Sequence, residues 1–291
     1  MDFKSIFLGL VFVFLWSSAF TSARMIVMDA PPFAALAIRF VLSGVVGLMI
    51  ARWMGQSWRL TPAQWRATVI FGICQNTIYL GLNFYAMQTV EASLATIIAA
   101  AMPLAIAVIG VVVLRDRLPL LGIVGLIAGI TGVAIIMSAR ISGGVDLIGV
   151  ALCFVAMVSL AVATLMVRSA SSGGNLMTVV AMQMLLSAAL LAVVSGLTEF
   201  PITVNWTPRL ITAFLYTTFF PGLLATWIWF VLVGCIGAVK AAAYHFLNPV
   251  FGVAVAAVLL GEALSWLDIV GVLIIAGGIL AVQLSKQQKL P

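Results

Sequence analysis

Residues 257–282 read AVLLGEALSWLDIVGVLIIAGGILAV, and residues 111–136 read VVVLRDRLPLLGIVGLIAGITGVAII. At an offset of 146 residues the two lie over each other without a gap. Leu114 meets Leu260, Asp116 meets Glu262, Leu118 meets Leu264, Ile123-Val124-Gly125 meets Ile269-Val270-Gly271, and Gly132 meets Gly278. In the same register Pro103 falls on Pro249. Earlier segments match at slightly shorter offsets, with Gly9 over Gly149 and Arg39 over Gln183. The chain reads as a duplication.

What is duplicated is hydrocarbon-rich. Of 291 residues, 64% are apolar and 8% charged, and the mean hydropathy is +1.27. A globular domain is about half apolar and a quarter charged. Apolar runs of roughly 20 residues, each long enough to cross a bilayer as a helix, fall at 6–26, 33–51, 67–87, 92–114, 119–138, 147–167, 177–196, 209–232, 238–259 and 266–284. The first resembles a signal peptide, with Lys4 ahead of an apolar stretch, but it stays apolar through Val27 and belongs to the repeat, so it is read as a span. The expected fold is an all-α polytopic membrane protein with ten transmembrane helices. Its halves are residues 1–139 and 146–285, followed by a short tail at 286–291. Each half has five spans, an odd number, so the second half enters the membrane from the opposite side. Inverted repeats of this kind are a transporter signature, with the substrate site near the midplane.

Charge sets the expected orientation. With both termini cytoplasmic, Lys4, Arg52, Arg59, Arg66, Arg115, Arg117, Arg168, Lys286 and Lys289 lie inside. Arg24, Arg140 and Arg209 lie outside with Asp29, Glu91, Asp146, Glu199, Glu262 and Asp268. This is a positive-inside distribution. The net charge of +6 is therefore a topology signal, and nucleic acid is excluded as a partner. Cys74, Cys153 and Cys235 all fall in spans, are odd in number and form no disulfide or metal framework. No cofactor or metal is expected.

The patterns LWSSAF (15–20), AIRF (37–40), EASLATIIAAAMPLAIAV (91–108) and the 257–282 stretch resemble the drug/metabolite transporter superfamily, in its EamA-type ten-helix branch. Within that branch the chain most resembles the YddG-like amino acid exporters. The resemblance implies a multi-pass protein of the bacterial inner membrane that exports amino acids or related small metabolites. The first half departs from the pattern, reading RDRLP at 115–119 where the second reads GEALS at 261–265, and no role passes to Asp116.

Polar residues inside the spans are the candidate site. On an α-helix with 100° per residue, Lys240, Tyr244 and Asn248 share an arc of about 80°, which His245 widens to about 140°. Pro249 and Pro103 lack an N–H and free the carbonyls of His245 and Ala99, so both prolines are candidate hinges. Asn76, Tyr79 and Asn83 share a face of the third span, with Gln75 beside them. Trp16 and Ser17 lie on the first span, and Tyr216 and Trp227 on the eighth. A cavity lined by such groups suits an organic solute, offering flat apolar walls and a few hydrogen-bond partners.

Each residue also has a plainer reading. Ser17, Asn76 and Asn83 can simply join helices, Lys240 can snorkel to the surface, His245 can be a packing residue, and Tyr216 and Trp227 can be filler. Arg39 ranks first as a scaffold residue, and the glycines Gly122, Gly125, Gly129 and Gly132 as a helix-packing face. All eight carboxylates lie in loops or at span ends, so no proton-relay acid sits mid-membrane. The expectation is a carrier, not an enzyme, with an amino acid as its small-molecule partner, lipid as its surroundings and a monomeric state. The alternatives are a carrier for other metabolites or hydrophobic drugs, and a membrane scaffold or enzyme.

Overall fold

The computed structural model describes residues 3–113, 115, 118–167, 175–236, 241 and 244–287. Among the described residues there are helices and no strands. They are α1 (Phe3–Val27), α2 (Pro32–Trp53), α3 (Pro62–Phe71), α4 (Gly81–Ala86), α5 (Ala92–Ala100), α6 (Met102–Val112), α7 (Leu120–Ser142), α8 (Leu147–Val167), α9 (Leu176–Thr198), α10 (Pro208–Thr217), α11 (Ala225–Ile236), α12 (Asn248–Leu260) and α13 (Trp266–Gln287). A π-helical stretch, Gly72–Leu80, joins α3 to α4, and a second, Thr218–Leu224, joins α10 to α11. A 3-10 turn, Tyr244–Leu247, leads into α12.

Seven helices among the described residues are long and apolar enough to cross a membrane: α1, α2, the α5–α6 run, α7, α8, α9 and α13. The remaining apolar rods are divided into shorter pieces by the π stretches and the 3-10 turn. Their outward faces are apolar, with Ile127, Ile130, Val193, Val258 and Leu273 exposed where a water-soluble protein would carry charge. Exposed tryptophans mark both ends, Trp53, Trp58 and Trp65 at one and Trp206 and Trp266 at the other, as in the aromatic belts of membrane proteins.

Local signals start the helices. Thr61 and Gln64 form a reciprocal capping box with Pro62 at the first position of α3. Thr207 accepts from the Leu210 N–H ahead of Pro208, and Ser265 and Asp268 cap α13 reciprocally.

The helix contacts come in matched sets. α2 packs along α9, and α7 packs along α13. α1 lies against α10, α11 and α12, while α8 lies against the first π stretch, α4, α5 and α6, and α5 meets α12 in the middle. Glycines let α7 and α13 touch backbone to backbone: a Cβ on Gly125 would stand 2.8 Å from the Gly278 carbonyl oxygen, and one on Gly132 2.9 Å from that of Gly271.

Five connections meet at one end of the bundle and are tied by carboxylates. Glu199 accepts the Phe33 and Ala34 N–H groups at 2.8 Å each, so it caps α2. Glu262 does the same for Ala92 and Ser93 at the start of α5. A carboxylate at a helix N-terminus satisfies orphan donors and opposes the positive end of the dipole. Arg140 reaches both Glu91 and Asp268, and Arg24 donates to the Met87 carbonyl. At the other end, Gln56 accepts from the Thr178 N–H and Asn175 from the Ser57 N–H.

Asp29 belongs to the first of these ends. It accepts from Arg209, Thr207 and Asn205, and the Arg209 and Thr207 hydrogen bonds hold its carboxyl below its ordinary value of 3.8. A depressed folded-state value means the stabilisation is complete above the unfolded value and disappears as pH falls through the folded one. Purified wild-type protein is therefore expected to melt above Asp29→Asn at pH 7 and at pH 5. The gap should close only below about pH 4, where the unfolded carboxyl titrates. A gap already absent at pH 5 would mean that Arg209 does not hold this carboxylate ionised.

Candidate functional site

The site is built where helices lose regular winding. π-helical turns leave carbonyls displaced from the i→i+4 ladder, and inside a bilayer those must find internal partners. Here the partners are hydroxyls: Ser187 on α9 and Thr77 both donate to the Gly72 carbonyl at 2.9 Å, and Ser159 on α8 donates to that of Cys74 at 2.9 Å. The second π stretch contains Pro221, which has no N–H to give. Gly72 and Thr218, the first residues of the two stretches, stand in the same 146-residue register as Pro103 and Pro249. Both prolines open a new helical segment: Pro103 follows the break at Ala101 between α5 and α6, and Pro249 follows the 3-10 turn ahead of α12.

Two cavities lie against these breaks. One is lined by Trp16, Ser17, Tyr79, Thr96, Pro103, Leu160, His245 and Asn248, among others. The other has walls from Trp16, Arg39, Gln75, Tyr79, Asn83, Thr217 and Pro221. Trp16 and Tyr79 border both, midway along α1 and the third rod.

Within the first cavity Ser17 donates to the Asn248 carbonyl at 3.2 Å, and the Asn248 amide nitrogen lies 2.9 Å from His245 Nδ1. His245 sits among three rings, with centroids 5.4 Å from Phe12, 6.3 Å from Trp16 and 5.4 Å from Trp229. Tyr244 lies beside Gly9, where a Cβ would stand 2.2 Å from its ring. This aromatic cluster adjoins the cavity on the side of the N-terminal end of α1. The cation Arg39 lies on the second cavity, buried at 7% exposure.

Of the sequence candidates, Trp16, Ser17, Tyr79, Asn83, Pro103, His245 and Asn248 come together around these two spaces. Asn76, Tyr216 and Tyr244 line neither. Asn76 is buried between helices, because π winding rotates it away from the face it would share with Asn83 on an α-helix. Tyr216 hydrogen-bonds Ser18 at 2.7 Å and stacks on Phe220. Asn83 turns its amide back to the Tyr79 carbonyl at 2.8 Å. Trp227 falls on α11, but its side chain lies outside the described residues, as does Lys240 entirely. Sequence reasoning missed Thr96, Thr217, Pro221 and the ring box of Phe12 and Trp229. The FFPG run at 219–222, a proline inside an apolar span, was the available signal for the second break.

Apolar membrane-length helices, interrupted around a polar and aromatic interior, define a multi-pass membrane protein of the transporter class. The chain belongs to the EamA-like transporter family, which matches it twice, over residues 3–138 and 147–284. It is 27% identical to "Uncharacterized transporter YvbV" of Bacillus subtilis over 95% of this chain and 91% of that protein. It is 26% identical to a "Probable amino-acid metabolite efflux pump" of Salmonella typhimurium over 96% of this chain and 94% of that one. A crystal structure 22% identical, covering 100% of both chains, superposes with a TM-score of 0.69 and bears on the fold alone.

Proposed function

We propose that the chain is a ten-helix carrier of two inverted five-helix repeats, with cytoplasmic termini in a bacterial inner membrane, exporting amino acids and related small metabolites by alternating access. The observation that carries this reading is the pair of adjoining cavities, lined from both halves and bordered by matched breaks at Pro103 and Pro249 and at the two π stretches. Under the exchange of halves α1 corresponds to α8, and the contacts of α1 with α10, α11 and α12 answer those of α8 with the first π stretch, α4, α5 and α6, a correspondence that supports a two-fold pseudo-axis between the halves. Amino acids fit an interior that offers aromatic walls together with amide and hydroxyl partners. The efflux name of the Salmonella relative supports the direction. The resemblance to YddG-like exporters agrees with this solute class.

The test is counterflow into liposomes holding the purified protein, with each of the twenty amino acids in turn. Saturable exchange of one or more is the expected result, and exchange of none overturns the solute class. The breaks predict a second outcome. Pro249→Ala restores a backbone N–H at the start of α12 and is expected to slow exchange several-fold with unchanged expression and melting temperature, because bending at this joint is part of the cycle. Unaltered exchange by well-folded protein would remove the hinge role.

A further inference from the structure

We infer that the guanidinium of Arg39 is the anchor for a carboxylate on the transported solute, bound in the cavity between α2 and the two π-helical stretches. The inference rests on the amino-acid reading for the rest of the solute, but its carboxylate element stands on Arg39 itself.

Arg39 lies seven residues beyond Pro32, the first residue of α2, about 10 Å along the helix at 1.5 Å per residue. Its residue is 7% exposed, and Nε is fully buried with no hydrogen-bond partner. Among the described residues, the ion pairs join Arg140 to Glu91 and Asp268 and Arg209 to Asp29, and none involves Arg39. Among the described residues its ring contact is with the neighbouring Phe40, Cζ lying 5.5 Å from the ring centroid. A cation at this depth in a membrane protein is costly and marks a substrate path or a partner yet to bind. A scaffold arginine would have an acceptor.

The surroundings complete the argument. Arg39 passes the second π stretch at Gly222, where a Cβ would stand 3.5 Å from Nη2 and 3.8 Å from the hydroxyl of Ser43. Ser43, one turn along α2, is buried and its hydroxyl has no partner. On the same cavity as Arg39, Asn83 spends its amide N–H on the Tyr79 carbonyl and leaves Oδ1 buried without a donor. Residues that carry an unpaired cation and an unpaired acceptor thus line one space. A zwitterionic α-amino acid supplies both complements: its carboxylate accepts from the guanidinium fork, and its ammonium donates to Asn83 Oδ1. A plain amine or an uncharged drug would leave Arg39 unpaired.

The experiment uses the full-length purified protein and titration calorimetry with two solute sets. These are L-phenylalanine, 3-phenylpropanoate and 2-phenylethylamine, and L-leucine, 4-methylpentanoate and 3-methylbutylamine. The expected result is that wild type binds the carboxylate-bearing members and discriminates against the amines. Arg39→Gln should weaken the carboxylates by about thirtyfold or more and leave the amines as they were, the loss typical of a buried charged partner. Arg39→Lys should recover only part of the affinity, because an ammonium lacks the fork. An acid-to-amine ratio unchanged in Arg39→Gln overturns the anchor, as does wild-type protein that binds neither acid. If wild type binds 3-phenylpropanoate or 4-methylpentanoate but no amino acid, the anchor stands and the amino-acid reading falls. If counterflow of amino acids proceeds while Arg39→Gln binds them normally, the amino-acid reading stands and the anchor falls. Should Arg39→Gln fail to fold, Asn83→Asp places a carboxylate in the same cavity. It should displace the acids by a similar factor in monodisperse protein, and undiminished acid binding there overturns the anchor.

Discussion

Gly278→Leu is expected to abolish recovery of folded protein, while Gly277→Leu is expected to be recovered at the wild-type level. The two residues are chain neighbours on α13, yet they face opposite environments. A Cβ on Gly278 would stand 2.6 Å from the Gly125 carbonyl oxygen and 2.6 Å from the Gly129 nitrogen. Both are backbone atoms of α7, which no rotamer change can move. A Cβ on Gly277 meets nothing within 4 Å. Inserting methylenes into a packed core costs about 1–3 kcal/mol where side chains can yield. Here the helices themselves must separate, and the contact they give up is, with that of α2 on α9, the most extensive among the described residues. Lipid supplies no hydrophobic drive to hold them together, so close van der Waals packing of small residues does that work. Size-exclusion profiles of the two variants in detergent decide the matter. Equal monodisperse peaks would show that α7 and α13 are not bound at their backbones.

That pairing shows how much was readable from the chain. The glycines Gly122, Gly125, Gly129 and Gly132 fall on one face at any reasonable helical count, and an apolar run needs no partner to declare its length. The offset of Pro103 and Pro249 likewise marked two places where helices stop and restart, as they do at Ala101 and ahead of Asn248.

Rotation about a helix axis is where the reading fails. Asn76, Tyr79 and Asn83 share a face only under α winding. In the π-helical stretch Gly72–Leu80 the Gly72 and Cys74 carbonyls accept from Ser187, Thr77 and Ser159, and two of those donors lie on other helices. Nothing local in GICQNTIYL announces them. The partners of Arg140 are equally remote, since Asp268 lies 128 residues away. Arg39 ranks as a scaffold residue from its place in the AIRF match, and the carboxylate proposal adds what the match cannot hold: a cavity assembled from four rods, which no single span contains.

Gly252→Ala is expected to reduce transport by at least about tenfold, equivalent to about 1.4 kcal/mol on the limiting barrier, and a second change at Thr96 is expected to restore most of it. Gly252 on α12 faces Thr96 on α5, at the crossing of the helix that ends at the Ala101 break before Pro103 and the helix that holds Pro249. A Cβ there would stand 2.1 Å from Thr96 Cγ2 and 2.9 Å from its Cβ. The threonine cannot turn aside, because its hydroxyl donates to the Ala92 carbonyl at 2.7 Å and a β-branched side chain is stiff in a helix. Thr96 also lines the first cavity, beside Ala99 and Pro103, so forcing α5 and α12 apart displaces the cavity wall as well as the crossing. Removing the obstructing side chain should relieve the clash. Gly252→Ala combined with Thr96→Gly returns a glycine to the crossing, on the other helix, and the double-mutant cycle then shows a coupling of opposite sign to the single losses. Counterflow and melting temperature are measured on all four proteins. If the double variant transports no better than Gly252→Ala, the loss does not arise from contact with Thr96. If Gly252→Ala alone transports normally, the two broken helices do not need this close approach, and alternating access does not turn on their crossing.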